Sequence, residues 1–137
     1  MKTETPISLP NNIKFADHQS EVNWKHILLV KPTTGLIVIT GEKASGKTRL
    51  ASTIAGHMNY HTLLPSEHKL SIILDQPTPK VKYFDEIKTK NPIKSRVIQK
   101  AIPHKLIIIS GLNVELSLEL ESRALRINLA RPTSAYH

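Results

Sequence analysis

Eight consecutive residues carry the clearest chemical pattern in this chain. They are Gly41, Glu42, Lys43, Ala44, Ser45, Gly46, Lys47 and Thr48, and they match the Walker A pattern G-x-x-x-x-G-K-[ST] at every fixed position. The glycines permit backbone angles that turn consecutive N–H groups towards an anion. Lys47 would then contact the β- and γ-phosphates of a nucleotide, and the Thr48 hydroxyl would bind Mg²⁺. The pattern predicts a P-loop that binds ATP or ADP with Mg²⁺.

The segments around this loop have the order that the chemistry needs. Residues 35–40 form a short apolar run that predicts a buried strand, and residues 49–55 have the apolar spacing of a helix. A strand, a glycine loop and a helix place the loop at the positive end of the helix, where anions bind.

A P-loop also needs an acidic partner at the end of a neighbouring strand. Residues 81–84 are apolar and end at Asp85 and Glu86. There Asp85 can hold the metal while Glu86 acts as the catalytic base for the attacking water. Asp75, after the apolar residues 72–74, is the competing candidate. We prefer Asp85 and Glu86, because the pair can divide the two tasks.

The remaining pattern alternates strands and helices, which favours a parallel α/β sheet. Residues 1–20 predict an arm, and residues 21–137 predict one nucleotide-binding domain. Within that domain the sequence predicts further helices within residues 21–30, 93–101 and 116–123, strands at residues 81–84, 106–110 and 125–129, and weaker extended pieces at residues 62–64 and 70–74.

Composition narrows the possible functions. The chain has 137 residues and no cysteine, which excludes disulfides and thiolate metal sites. No apolar run is long enough to span a membrane and no signal peptide is visible, so we expect a cytoplasmic protein without a membrane partner. His57 and His61 have helical spacing, but no third ligand completes a zinc site.

The net charge is +8 and is unevenly distributed. Residues 80–105 contain eight basic side chains against two acids, a local charge of +6: Lys80, Lys82, Lys88, Lys90, Lys94, Arg96, Lys100 and Lys105. Such a density suits a nucleic-acid backbone, so DNA is a candidate partner.

Several short motifs together resemble the AAA+ ATPase core. They are Asp85-Glu86-Ile87 after a strand, the apolar residues 106–110 with polar residues after them, and Leu120-Glu121-Ser122-Arg123 before a last strand. Within that family the likeness is to the bacterial replication-initiator branch of DnaA and its regulatory relative Hda. Phe15 followed by Asn23, and Leu74-Asp75-Gln76 before Asp85, also resemble that branch.

The resemblance implies a P-loop NTPase three-layer sandwich with a mostly parallel sheet and a function in DNA replication initiation or its regulation. It also implies that Arg123 is an arginine finger that reaches the nucleotide of a neighbouring subunit in a homo- or hetero-oligomer, with Arg126 as a weaker rival. Asn113 would be the polar sensor near the nucleotide, although it lies later than the family pattern places it. The chain ends before any helical lid, so the resemblance is to a truncated AAA+ core with weak or partner-dependent ATPase activity.

Two other function classes remain open. Ser110-Gly111-Leu112-Asn113 with Arg123 is also similar to the sensor region of phage primase-helicases, which suggests a helicase ATPase of a mobile element. The third class is a remnant that does not hydrolyse ATP and works through protein contacts.

Overall fold

The computed structural model describes residues 13–131; residues 1–12 of the predicted arm lie outside this range. Five strands form one sheet in which every pairing between these strands is parallel. The strands are β1 (Gly35–Thr40), β2 (Tyr60–His61), β3 (Val81–Phe84), β4 (Leu106–Gly111) and β5 (Ala124–Asn128), in the spatial order β2-β3-β4-β1-β5. The expected α/β fold with a mostly parallel sheet is therefore confirmed.

Helices cover both faces of the sheet. They are α1 (His18–Val30), α2 (Lys47–Ala55), α3 (Glu67–Asp75), α4 (Arg96–Ala101) and α5 (Leu118–Glu121). Along β1, Leu36 and Val38 pack into a core with α3, α4 and α5, whereas Ile37 and Ile39 pack into a second core with α1 and α2. Burial on both faces explains why β1 reads as a continuous apolar run. No helix within residues 13–131 is long and apolar enough to cross a membrane.

Beside β1 the chain changes the direction in which it moves from strand to strand across the sheet. After β1 the chain moves to the β2 edge, and after β4 it crosses β1 to reach β5 on the other side. Right-handed crossovers in opposite directions place α2 and α5 on opposite faces of the sheet. A reversal of this kind opens a crevice at the carboxyl ends of the strands, where open α/β sheets bind ligands.

The prediction of an extended piece at residues 70–74 is wrong, because these residues belong to α3. The Ser66 side chain accepts a hydrogen bond from the Lys69 N–H and begins the helix. Leu70 and Leu74, four residues apart, are both buried on its inner face. This i, i+4 spacing is the helical signal. The first edge strand, β2, also lies just before the predicted residues 62–64.

Helix α1 begins three residues earlier than predicted. The Asp17 carboxylate accepts a hydrogen bond from the Ser20 N–H at 2.7 Å and caps the helix. Hydrogen bonds from the Ser20 hydroxyl and then from the Ser20 N–H, helped by one from Asn128, keep the pKa of Asp17 below its usual value. Just before it, Phe15 forms an antiparallel bridge with Leu129 after β5. Residues 13–16 therefore lie beside β5, at that edge of the sheet.

Candidate functional site

The loop of residues 41–48, here called the glycine loop, connects β1 to α2. Its backbone enters the left-handed region at Ala44 (φ 68°) and Gly46 (φ 95°). Gly46 is the N-cap of α2 and provides no side-chain hydrogen bond to the helix. The first N–H groups of a helix have no acceptor within the helix. They and the helix dipole therefore offer an anion several donors at this end of α2.

Lys47 and Thr48 form the start of α2 and face the same crevice. Lys47 is buried, with 8% of its surface exposed, although it carries a charge. Ser45 is also buried, and its hydroxyl is a buried side-chain atom without a hydrogen-bond partner among residues 13–131. Lys47, the Ser45 hydroxyl and the first N–H groups of α2 are donors of the kind that bind anions. The glycine loop is therefore a candidate anion site.

Asp85 follows β3 and meets Thr48 at the carboxyl edge of the sheet. The Thr48 Oγ1 hydroxyl donates to Asp85 Oδ2 at 3.0 Å, and the Ser110 hydroxyl donates to Asp85 Oδ1. Since β4 lies between β1 and β3, Ser110 near the end of β4 lies beside Asp85 and contacts the carboxylate oxygen that Thr48 does not. The three side chains form one polar cluster because the carboxyl ends of parallel strands lie on the same edge.

The Asp85 carboxylate is almost completely buried, with 1% of its surface exposed. Within residues 13–131 no lysine, arginine or histidine forms an ion pair with it. Hydroxyl donors alone compensate a buried charge incompletely. A carboxylate and a hydroxyl are also the hard oxygen ligands that Mg²⁺ prefers, usually with water and phosphate in its remaining positions. The chemistry of Thr48 and Asp85 therefore fits a magnesium ion.

Tyr83 contacts the first turn of α2 next to this cluster. Its ring is buried, and its hydroxyl lies 3.4 Å from the Thr48 carbonyl oxygen, to which it donates. Burial, and secondarily the neighbouring Asp85 carboxylate, raise the pKa of Tyr83. The phenol therefore stays protonated and remains a donor to the first turn of α2.

Glu86 is exposed and adopts φ 56°, a left-handed conformation that is uncommon outside glycine. Its two neighbours, Asp85 and Ile87, are both buried. The reversal of the backbone at Glu86 lets both neighbours point inwards while the Glu86 side chain faces the crevice with Lys47 and Thr48. Strained backbone of this kind costs about 1–3 kcal/mol and occurs often at functional sites.

A cleft of about 360 Å³ lies between the glycine loop and Glu86. The glycine loop forms one wall, Glu86 another, and Ile13 provides an apolar side chain. Ile13 packs so closely on Gly46 that a Cβ atom at Gly46 would lie 2.5 Å from Ile13 Cγ1. The volume is within the range of small-ligand sites.

The other predicted site residues lie elsewhere. Asn113 is exposed and lines a separate groove with Thr40 and Asn128 rather than the glycine-loop cleft. Arg123 is exposed just before β5, at the amino edge of the sheet, opposite the glycine loop. Arg126 forms a two-point ion pair with Glu121, at 3.0 and 2.7 Å. Asp75 is an exposed residue at the end of α3.

The site also contains residues that were not among the site residues predicted from the sequence: Ser110, Ile13 and Arg49. Ser110 directly follows the four apolar residues of β4, so its position after a buried strand was a usable signal. Ile13 lies 33 residues before Gly46 in a segment without periodicity, and no local pattern could have linked them.

Residues 13–131 contain no group of three or more histidine, aspartate or glutamate side chains placed to hold a metal.

Comparison with known proteins finds no protein-family model that matches this chain, and no curated protein that matches it significantly. The assignment of a function therefore depends on the geometry of the site and on the motifs in the sequence.

Proposed function

We propose that this protein is a P-loop module that binds ATP or ADP with Mg²⁺ in the glycine-loop cleft. We further propose that it is an AAA+-like core that acts in DNA replication initiation or its regulation, with ATPase activity that is weak or depends on a partner. The observation that carries the nucleotide part is the buried Asp85 carboxylate, bonded to the Thr48 hydroxyl and to no cation among residues 13–131.

Each residue of the cleft has a distinct task in this proposal. Lys47 and the N–H groups at the start of α2 bind the phosphates, and Thr48 with Asp85 holds the metal. A bound Mg²⁺ would supply positive charge to the phosphate oxygens. Glu86 accepts the proton of the attacking water, since its carboxylate faces the same cleft. Ile13 offers an apolar contact to the part of the nucleotide outside the loop.

The replication part of the proposal is supported by the motifs that resemble the replication-initiator branch and by the basic charge. A second candidate is a helicase ATPase of the primase-helicase kind. It is favoured by the position of Ser110, the first residue of the motif on which that likeness depends, beside Asp85. In both cases the nucleotide chemistry is the same, and the two differ in what duplex or single-stranded DNA does to turnover.

Calorimetric titration with ATP, in the presence and absence of Mg²⁺, tests the proposal. Wild-type protein should bind ATP more tightly with Mg²⁺, and Thr48→Val should lose that difference because it removes the hydroxyl while keeping the shape. Thr53→Val is the matched control, since the Thr53 hydroxyl is also on α2 but donates to the Arg49 carbonyl oxygen. An ATP affinity that changes neither with Mg²⁺ nor with the Thr48→Val substitution would contradict the proposed site.

Turnover of ATP with and without DNA separates the three function classes. Stimulation by duplex DNA supports the replication module, and stimulation by single strands supports the helicase. Tight binding without turnover under any condition supports a protein that works by contacts alone.

A further inference from the structure

The basic segment of residues 80–105 is divided by the fold between two edges of the sheet. Lys88, Lys90, Lys94 and Arg96 follow the carboxyl end of β3, on the side of the glycine loop. Lys80 and Lys105 directly precede β3 and β4, and Lys100 is in the last turn of α4, so these three lie at the amino edge. Lys82 is buried and donates to the Gln76 carbonyl oxygen at 2.7 Å. The segment is therefore not one surface.

The amino edge gathers basic residues from several parts of the chain. Arg123 directly precedes β5, and Lys31 ends α1 before β1. We call these five residues the amino-edge cluster: Lys31, Lys80, Lys100, Lys105 and Arg123. Neighbouring strands are about 4.8 Å apart, so Lys80, Lys105 and Arg123 form a row across the ends of β3, β4 and β5.

The charge of this cluster is not neutralised by ion pairs within the part of the chain that the structure describes. Within residues 13–131 none of its five members forms an ion pair with a carboxylate. Burial, and secondarily the positive charge of Lys105, lower the pKa of Lys82, so positive charges are crowded at this edge. Asp75, at the end of α3, is the acid in the adjoining loop.

The edge also contains a cleft that can receive an anionic group. It measures about 440 Å³ and lies where β1 and β5 begin. Lys31 and Arg123 line it together with the hydroxyl-bearing residues Thr33 and Thr34 and with His26. Cations and hydroxyl donors of this kind are the groups that contact phosphates in protein–DNA complexes.

We propose that the amino-edge cluster binds the sugar-phosphate backbone of duplex DNA. Residues 31–35, 76–80, 100–105 and 122–123, which form this edge, contain no Phe, Trp or Tyr. Single-strand binding usually depends on such rings for stacking, whereas duplex backbones need only positive charge. This inference rests on the proposed function and assigns its DNA partner to a specific surface of the protein.

The position of the cluster lets nucleotide and duplex bind together. The six residues of β1 separate the two edges by roughly 20 Å. At physiological salt, charges are screened beyond about 8 Å. A duplex at the amino edge is therefore not repelled by nucleotide phosphates in the glycine-loop cleft, as a duplex on Lys88 and Lys90 beside Glu86 would be.

Two triple variants with the same change in net charge test this inference. Lys80→Gln, Lys100→Gln and Lys105→Gln remove charge from the amino edge, and Lys88→Gln, Lys90→Gln and Lys94→Gln remove it from the carboxyl edge. The probe is a labelled 20-base-pair duplex, followed by fluorescence anisotropy over a series of salt concentrations. The amino-edge triple should lose at least about tenfold in affinity, with a log–log salt slope reduced by about 0.9 for each lost phosphate contact. The control triple should change the affinity by less than about twofold.

Equal losses in both triples, a larger loss in the control, tighter binding of the single strand than of the duplex, or no binding by wild type would each overturn the inference. Thermal unfolding checks that the variants fold. Because Lys105 is half-buried, the exposed pairs Lys80→Gln with Lys100→Gln and Lys88→Gln with Lys90→Gln repeat the comparison. ATP titration of the same variants keeps the two proposals separate: if wild type binds the duplex as expected but binds no ATP, the nucleotide proposal fails and the edge stands.

Discussion

Thr48 and Asp85 are joined by a 3.0 Å hydrogen bond although they lie 37 positions apart in the sequence and follow strands β1 and β3, which are not neighbours in the sheet. Thr48 is in the first turn of α2 and Asp85 directly follows β3, so the bond holds the glycine loop against the end of β3. Such preorganisation would place the proposed metal ligands with little rearrangement during binding. The contribution of the cluster can be tested one residue at a time.

We expect Lys47→Ala to abolish ATP binding, because Lys47 is the buried cation of the glycine loop. The matched control is Lys43→Ala, which removes an exposed lysine that lines the same cleft. Calorimetry should show no heat of ATP binding for the first variant and a change of less than about threefold in dissociation constant for the second. Because Lys47 is buried, circular dichroism should accompany the titration. A folded Lys47→Ala protein that binds ATP like wild type would disprove the nucleotide proposal.

Glu86→Gln should retain binding of ATP with Mg²⁺ and lower the rate of hydrolysis by about 10²–10⁴-fold, the usual contribution of a general base. The amide keeps the size of the side chain but cannot accept the proton. Asp75→Asn should leave the rate unchanged, since Asp75 ends α3 on the surface. Phosphate release under saturating ATP measures both. If Asp75→Asn slows hydrolysis and Glu86→Gln does not, the assignment of the base is wrong.

Gly46→Ala should destabilise the fold more than Gly56→Ala. Both glycines have positive φ, 95° and 81°, so an alanine is strained by about 1–2 kcal/mol at either position. A Cβ atom at Gly56 meets nothing within 4 Å, whereas one at Gly46 meets Ile13. Overpacking adds a further 1–3 kcal/mol or so. Chemical denaturation measures the difference, and the excess cost at Gly46 should shrink in an Ile13→Ala background. An excess that persists there would mean that Ile13 is not its cause.

Much of the fold could be predicted from the sequence because local patterns determine it. The buried strands β1 and β3 were predicted with the bounds that the structure has, since a short apolar run between turn residues is distinctive. The apolar residues 72–74 were predicted as part of an extended piece, which is wrong. There Ser66 and the spacing of Leu70 and Leu74 decided for a helix. A short apolar run can therefore be assigned to a strand or a helix only together with the capping residues that flank it.

The site was predictable up to the point where strand order matters. The glycine loop is a local motif, and Asp85 with Glu86 follows a recognisable strand. The sequence does not say that β4 lies between β1 and β3, and this order alone makes Ser110 the neighbour of Asp85. Asn113, predicted as the sensor, lies in another groove because the chain turns away after Gly111, which the Ile87 backbone contacts closely.

Arg123 and the glycine loop lie at opposite edges of the sheet, roughly 20 Å apart over the length of β1. Arg123 therefore cannot reach the proposed nucleotide site of its own chain. If it is an arginine finger, ATP turnover should be low in dilute protein and should rise with protein concentration or with an AAA+ partner. Arg123→Ala should remove that rise, with a loss on the order of 10³-fold in rate, while ATP affinity stays the same. Arg126→Ala is the control, since Arg126 is paired with Glu121.

Mixing two inactive variants distinguishes a finger in trans from a structural arginine. Lys47→Ala lacks the phosphate ligand but keeps Arg123, and Arg123→Ala keeps the complete cleft. If Arg123 acts on a neighbouring chain, each variant supplies what the other lacks, and the mixture should recover part of the wild-type turnover. An arginine that only supports its own fold gives no recovery at any ratio. Rapid hydrolysis by dilute wild-type protein, independent of concentration, would contradict the partner-dependent mechanism and favour a P-loop enzyme that is complete in one chain.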